Sequence, residues 1–516
     1  MGPPDMTPTG NTRKDFSPQG LLSSALPGFE PREAQVQMAE AVDQALEDGD
    51  ILVVEAGTGV GKSLAYLLPA LRRAFAPEGE AKSLLLSTAT LTLQDQLLSK
   101  DIPVALKALG ISAEQAADRV VRAMGRANYF CRLRFEMLDT PLGPELFEAP
   151  ARSNALKIGA WAAREPEPVR DRLPFEVDAG VWEKVNVDAF GCLGAACPHA
   201  RDCFFLKERE RLRRAKVAVV NHAMLLSDVA ARRDRSALLP DMDFLVVDEA
   251  HHLERMASEH LGIRLGMLEL EQALNPVMDP RSGKGLAARL GFPGELALQT
   301  AESRSAAHHL FDQAAGHLKV SGATVGPHGF DDAVSGHLLA VAATLKKSAE
   351  ALNDEALASE VKAAAIRLEK AADGLRAWLG QTLPAQVYWM EPRGRKGDLV
   401  LRSAPLRAGE ALAAELYPRF ASIIFTSATL ATHKGLGFSK TRLGLPEATS
   451  ELVLGSPFDY RTQVQMHLDT RVSDPRKGEE AYLESLERAV KDALIRSQGR
   501  AFVLFTSFRH LHALAL

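Results

Sequence analysis

Six short runs of almost unbroken apolar residues punctuate this chain: ILVVEAG, SLLLSTAT, VAVVNH, FLVVDEAHH, SIIFTSAT and FVLFTSF. Each stops at a turn or a polar motif, and stretches of helical pattern separate them. A strand that is apolar at odd and even positions alike must be covered on both faces, which is the condition of a parallel strand in a layered α/β sheet. At 516 residues the chain can bury a sizeable core and has room for roughly three to four domains. Two segments interrupt the alternation. Residues 111–212 hold all four cysteines, and residues 269–385 are rich in Ala and Leu. Within the second, Val361, Ala365, Leu368, Ala372, Leu375 and Leu379 recur at spacings of four and three, which marks one apolar helix face and reads as helical-hairpin core, not as a cofactor box. Residues 1–27, rich in Pro, Gly, Ser and Thr, are expected to be a disordered tail. There is no internal repeat.

Charge and cysteine content narrow the setting. A net charge of −5 argues against a globally basic nucleic-acid binder but leaves room for a local basic groove. The opening MGPPDMTPTGNTRKDF has no apolar signal-peptide core, and no run approaches the roughly 18 apolar residues of a membrane span. A soluble, cytoplasmic protein is expected. Four cysteines are too few for a disulfide scaffold at this length, and their confinement to one segment favours metal binding or redox chemistry.

EAGTGVGKS, Glu55 to Ser63, directly follows the run ILVV and precedes the helical pattern SLAYLLPAL. Gly57, Gly59 and Gly61 let backbone N–H groups turn toward phosphate oxygens, while the following helix presents its positive end to them. The loop Ala56-Gly57-Thr58-Gly59-Val60-Gly61 delivers Lys62 to the β- and γ-phosphates and Ser63 to magnesium. Ala56 stands where the common pattern has its first glycine, a small change that leaves the turn plausible. A Gly-rich turn alone can be an ordinary strand-to-helix link; the Lys-Ser pair at this offset makes it a nucleotide site.

FLVVDEAHH places Asp248 and Glu249 at the exit of another buried run, where the switch point of a doubly wound sheet faces the phosphate loop. The two carboxylates can divide the work, Asp248 holding magnesium and Glu249 orienting and deprotonating the water that attacks the γ-phosphate. An acidic helix start would explain the charge but not the apolar strand before it. His251 completes the DEAH motif, and TSATL, Thr426 to Leu430, follows a further buried run; alone, TSAT is a weak signal.

In this order the motifs resemble those of the XPD/DinG-like iron–sulfur DNA helicases of superfamily 2, with the DinG branch the nearer. The resemblance covers the chain from about residue 28. It rests on FEPREAQVQM, EAGTGVGKS, STATLTLQDQ, VVNHAML, VVDEAHHLE, FTSATL, GSPFDY and FVLFTSF, and on VYWMEP ahead of TSATL. It implies an α/β fold: a RecA-like P-loop NTPase parallel sheet with an iron–sulfur insert, a helical arch insert and an incomplete second RecA-like domain. The implied boundaries are 28–110, 213–268 and 386–435 for the first RecA-like domain, 111–212 for the cluster insert, 269–385 for the arch and 436–516 for the start of the second domain. The resemblance further implies that Gln35 contacts adenine and that ATP with Mg2+ drives 5′ to 3′ movement on single-stranded or forked DNA in repair or replication. The chain stops at FVLFTSFRHLHALAL, short of the family's later motifs, so it is expected to be a fragment that binds nucleotide weakly, binds DNA measurably and turns over ATP poorly.

GCLGAACPHARDC holds Cys192, Cys197 and Cys203, and Cys131 in GRANYFC completes the set. Four thiolates suit a tetrahedral zinc ion or a [4Fe-4S] cluster, and the trio lacks the CxxC knuckles usual for structural zinc. Four inert buried thiols are the plain alternative. The resemblance selects the [4Fe-4S] cluster, which would staple a small insert that apolar burial alone would not hold. Arg119, Arg122, Arg126, Arg132 and Arg134 lie near Tyr129 and Phe130, and Arg201, Lys207, Arg209, Arg211, Arg213 and Arg214 lie near Phe204 and Phe205. Such interleaving suits a single-strand channel; i,i+4 pairing on a solvated helix face is the alternative, above all for KERERLRRAK. Two other functions compete: a nucleotide-regulated DNA-binding module without unwinding, and a redox-responsive iron–sulfur protein. A fused exonuclease is not expected, because the N-terminal tail is too short to hold one.

Overall fold

The computed structural model of the protein describes residues 11–137, 149–188, 191–233, 236–280, 283, 285–291, 293–321, 329–393, 398–476 and 478–515. Two compact units divide the chain, Met1–Pro457 and Phe458–Leu516. The first contains strands β1 (Ile51–Ala56), β2 (Leu84–Thr88), β3 (Val120–Arg122), β4 (Val217–Asn221), β5 (Phe244–Asp248), β6 (Arg264–Gly266), β7 (Gln386–Arg393), β8 (Asp398–Pro405), β9 (Ser422–Ser427) and β10 (Ser450–Leu454). Seven of these form one sheet in the order β10-β1-β9-β5-β2-β4-β3, parallel throughout.

Five of the six apolar runs supply strands of this sheet, and β2, β5 and β9 are buried at every residue. Successive side chains point to opposite faces. Leu52, Val54, Leu84, Leu86, Val246 and Ile424 therefore join a core with the helices Glu33–Asp48 and Lys62–Ala74. Val53, Leu85, Leu245, Val247 and Phe425 join another with the helices His222–Arg233 and Leu253–His260. The sixth run is not a strand: Phe502 to Phe505 is coil, with Phe502 and Leu504 exposed. A strand needs a neighbour for its backbone hydrogen bonds, and the described residues of Phe458–Leu516 include none.

Residues 11–27 correct the expectation of a disordered tail; residues 1–10 lie outside the described residues. Short helices at Thr12–Asp15 and Leu21–Ala25 lay Phe16 and Leu22 into the core. Asp15 pairs with the buried Arg72, and Thr12 Oγ1 donates to Asp43 Oδ2 at 2.5 Å. Anchors spaced this sparsely leave no periodicity to read.

The strand β3 lies inside the segment read as the cysteine insert, yet it belongs to the sheet and pairs with β4. The large helical insert also reaches further than 269–385. Its stripe of Val361, Ala365, Leu368, Ala372 and Leu375 is fully buried. It shares a core with the three-stranded antiparallel sheet β6-β8-β7, through Leu265, Tyr388, Met390, Leu399 and Leu401. Likewise the boundary drawn at 435/436 falls inside the first unit, because β10 pairs with β1 along its whole length.

Candidate nucleotide site and cysteine insert

The phosphate loop leaves the sheet at Ala56, and the next helix starts at Lys62. Gly59 and Gly61 take φ of 86° and 87°, left-handed values that favour glycine. At Gly61 a Cβ would also collide with the Gln35 side chain. Gln35 is buried, and its Nε2 donates to the Gly61 carbonyl at 2.9 Å. Arg32 donates to the Gly59 carbonyl. Lys62 Nζ donates to the Ala56 carbonyl at 3.2 Å, which sets the ammonium across the two ends of the loop.

A cleft of about 380 Å³ opens there, lined by Arg32, Gly57, Gly59, Gly61, Lys62, Ser63, Leu93, Gln96, Leu97, Asp101, Asp248 and Glu249. The two sequence motifs thus meet in one cavity. Among the residues read as nucleotide-binding, Ala56, Thr58, Val60 and Gln35 do not line it; Val60 is core, and Gln35 braces the loop. Arg32, Gln96 and Asp101 were missed. Arg32 precedes Gln35 in FEPREAQ, an available signal, whereas the π-helical turn Leu97–Asp101 leaves no mark in the sequence.

Asp248 ends β5 and is almost fully buried. Burial, with the Glu249 charge added, pushes its carboxyl up to about 6, against the pull of the Tyr66 hydroxyl and Lys62. Tyr66 donates to Oδ2 at 3.1 Å, and the Glu249 amide donates to Oδ1 at 3.0 Å. A carboxylate so poorly compensated is suited to a divalent cation, whose charge favours the ionised form. Ser63 lines the same cleft and supplies a second oxygen, so the residues present fit magnesium.

Glu249 turns left-handed at φ 53°, ψ 45°, a conformation costing a non-glycine residue about 1–3 kcal/mol. Its Oε2 accepts from Ser427 Oγ at 3.2 Å, and Ser427 Oγ lies 2.7 Å from His251 Nδ1. TSAT, a weak signal alone, is therefore tied to DEAH. Burial, then the neighbouring His252, holds the His251 imidazole below its ordinary range. His222 of VVNH is buried, its Nδ1 2.7 Å from Ser87 Oγ, and burial lowers it to about 4. It is a neutral link between β2 and the helix after β4.

The four thiols are free. Cys131, Cys192 and Cys203 pack on a small core of Tyr129, Val169, Val187 and Phe205. Burial, with smaller contributions from the charges of Cys192 and Cys203, pushes the Cys131 thiol up to about 11 against the pull of Arg134. Cys203 is raised by burial, and also by Cys192 and Cys197. Mutual opposition of this kind is relieved when a metal takes the thiolates. All four thus come into one electrostatic neighbourhood, a donor set of the right kind and number. Among the described residues, however, no group of three or more Cys, His, Asp or Glu side chains stands close enough together to hold a metal ion.

Most of the basic residues near them have structural employment. Arg211 pairs with Glu208, and Arg213 and Arg214 pair with Glu210, the i,i+3 and i,i+4 arrangement of a solvated helix face. Arg122 pairs with Asp95 and Asp171, Arg132 with Glu136, and Arg134 donates to Asn186. Arg126 stacks on Phe205 at 5.8 Å, while Tyr129 and Phe205 are core. Arg119, Arg201 and Lys207 are exposed.

Fold and cleft together define a P-loop nucleotide-binding α/β protein with an acidic pair facing the loop. A family model for DEAD/DEAH box helicases matches residues 35–119. Over 519 residues the chain is 32% identical to ATP-dependent DNA helicase YoaA of Escherichia coli, covering 97% of this chain and 75% of that protein. It is 31% identical over 522 residues to ATP-dependent helicase DinG of Mycobacterium tuberculosis, covering 95% and 74%. A solved structure titled "Structure of S. tokodaii Xpd4" aligns over 94% of this chain and 73% of that one, with a TM-score of 0.47 and 14% identity. The chain belongs to the DinG/YoaA family of ATP-dependent DNA helicases. ATP and Mg2+ are the cofactors that family membership implies, and the cleft carries the donors for both. No helix among the described residues is long and apolar enough to cross a membrane.

Proposed function

We propose that ATP hydrolysis at this cleft drives movement along single-stranded DNA and the opening of forked duplexes, 5′ to 3′, in repair or replication within the cytoplasm. The observation that carries the reading is the convergence of Gly57 to Ser63 with Asp248 and Glu249 on one cleft. Backbone N–H groups of the loop and Lys62 bind the phosphates. Asp248 and Ser63 hold magnesium, and Glu249 takes the proton of the attacking water while Ser427 and His251 fix its carboxylate. The relative from Escherichia coli is named a DNA helicase; single-strand and fork preference and polarity are this proposal's own.

The four cysteines, on this reading, bind a [4Fe-4S] cluster. Support comes from the packing of Cys131, Cys192 and Cys203 on one small core, with Cys197 in the electrostatic neighbourhood of Cys203. Bound, the cluster supplies a rigid cross-link between the Cys131 arm and the Cys192 to Cys203 loop. Arg201 and Lys207, beside that loop, are exposed to solvent.

Strand separation on forked duplexes bearing a 5′ or a 3′ single-stranded arm tests the proposal. ATP-dependent opening of the 5′-armed fork, absent with Lys62→Ala, is expected. Opening only of the 3′-armed fork overturns the polarity, and DNA binding without any opening favours the nucleotide-regulated binding module.

A further inference from the structure

Glu55 is the one acidic residue of β1, an otherwise apolar strand, and it stands in register with Ser427 of β9. It is not among the residues lining the nucleotide cleft. Its Oε2 instead accepts two backbone N–H groups, those of Leu430 and Ala431, more than 370 residues further along the chain. Two amides on one ionised oxygen form a charge-assisted pair, about twice as strong as neutral bonds. A carboxylate at the end of a buried strand is costly unless it is held this way.

The same turn is gripped from its other side. Ser427 Oγ donates to Glu249 Oε2 at 3.2 Å and sits 2.7 Å from His251 Nδ1, while the Thr429 amide donates to Ser427 Oγ at 3.3 Å. Residues 427–431 thus lie between two carboxylates, one on the strand that carries the phosphate loop and one in the hydrolytic pair. Release of the Glu55 grip frees the backbone immediately after Ser427, and with it the hydroxyl that orients Glu249.

We propose that Glu55 is a positioning residue for hydrolysis: it clamps the turn after β9 so that Ser427 keeps the Glu249 carboxylate aimed into the cleft. The proposal rests on the ATP-hydrolysing reading above and adds to it a residue that touches neither nucleotide nor metal.

Hydrogen exchange on the whole chain, with Glu55→Ala and Glu55→Gln, tests it. The first variant removes the acceptor; the second keeps an amide oxygen able to receive the same two N–H groups. Exchange at Leu430 and Ala431 is expected to quicken about tenfold in Glu55→Ala and by clearly less in Glu55→Gln, which keeps the acceptor but loses the charge. In DNA-stimulated ATP hydrolysis, Glu55→Ala is expected to lower kcat about tenfold with KM for ATP within about twofold of wild type, and Glu55→Gln to recover part of the loss. Unchanged exchange at 430 and 431 overturns the proposal. So does faster exchange spread over β1 and β9 with a matching fall in the unfolding midpoint, the signature of a merely structural residue. A wild type that hydrolyses no ATP refutes the underlying reading instead, and the exchange data tell that failure apart from failure of the clamp.

Discussion

Replacing Gln35 with Ala separates two roles for one side chain. The family resemblance gives Gln35 to adenine, whereas the structure shows it buried with Nε2 on the Gly61 carbonyl at 2.9 Å. A neutral buried hydrogen bond contributes about 0.5–1.5 kcal/mol. Loss of that brace leaves Gly61, at φ 87°, free to leave its phosphate-binding conformation, and nucleotide Kd should rise about two- to twelvefold. Because the brace acts on the loop and not on the base, ATP, GTP and inorganic pyrophosphate should all weaken by the same factor. Fluorescence competition titrations with the three ligands measure this directly. Weaker ATP binding with GTP and pyrophosphate unchanged would refute the loop-brace reasoning and return Gln35 to the base.

Other perturbations bear on separate parts of the account. Asp15→Ala leaves the buried Arg72 without its carboxylate, and breaking a buried pair in this way costs about 3–5 kcal/mol; urea unfolding should show the loss, and an unchanged midpoint would mean that residues 11–27 do not hold the core. Asp248 is raised from 3.8 to about 6 by folding, so its contribution to stability is present below pH 4 and is lost as pH rises to 6. Without Mg2+ or nucleotide, Asp248→Asn should therefore be more stable than wild type by about 2–3 kcal/mol at pH 7.5 and equal to it at pH 4, while hydrolysing no ATP; equal stability at both pH values would contradict the burial argument. Cys197→Ser should abolish a broad absorption band near about 400 nm and the roughly four irons of an anaerobic preparation, and stoichiometric zinc in the wild type would refute the cluster. Arg213→Ala with Arg214→Ala should change single-strand affinity by less than about twofold, since both guanidinium groups already face Glu210; a large loss on a fluorescent oligonucleotide would restore that face to the DNA channel.

What the sequence displays and what it conceals follow from where the constraints lie. The buried strands announce themselves because both faces must be apolar, and the phosphate loop because glycine, lysine and serine are needed at fixed offsets. Five of six apolar runs accordingly become strands of one sheet. Concealed features depend on contacts between distant segments. Phe16 and Leu22 are single anchors without periodicity. The β7–β8 hairpin packs on the helical insert through Tyr388, Met390, Leu399 and Leu401, a destination that alternation alone does not specify. Charge misleads most near the cysteines, because an arginine bound to Glu210 or Asn186 reads in sequence like one waiting for a phosphate.

Steady-state ATP hydrolysis by the wild type and Glu249→Gln, with and without single-stranded DNA, tests the central claim most directly. If one cleft binds the phosphates and activates the water, DNA stimulates turnover by the wild type, and Glu249→Gln loses it by at least about a hundredfold while binding ATP with unchanged affinity. Turnover insensitive to DNA, or a Glu249→Gln variant as active as the wild type, would contradict it.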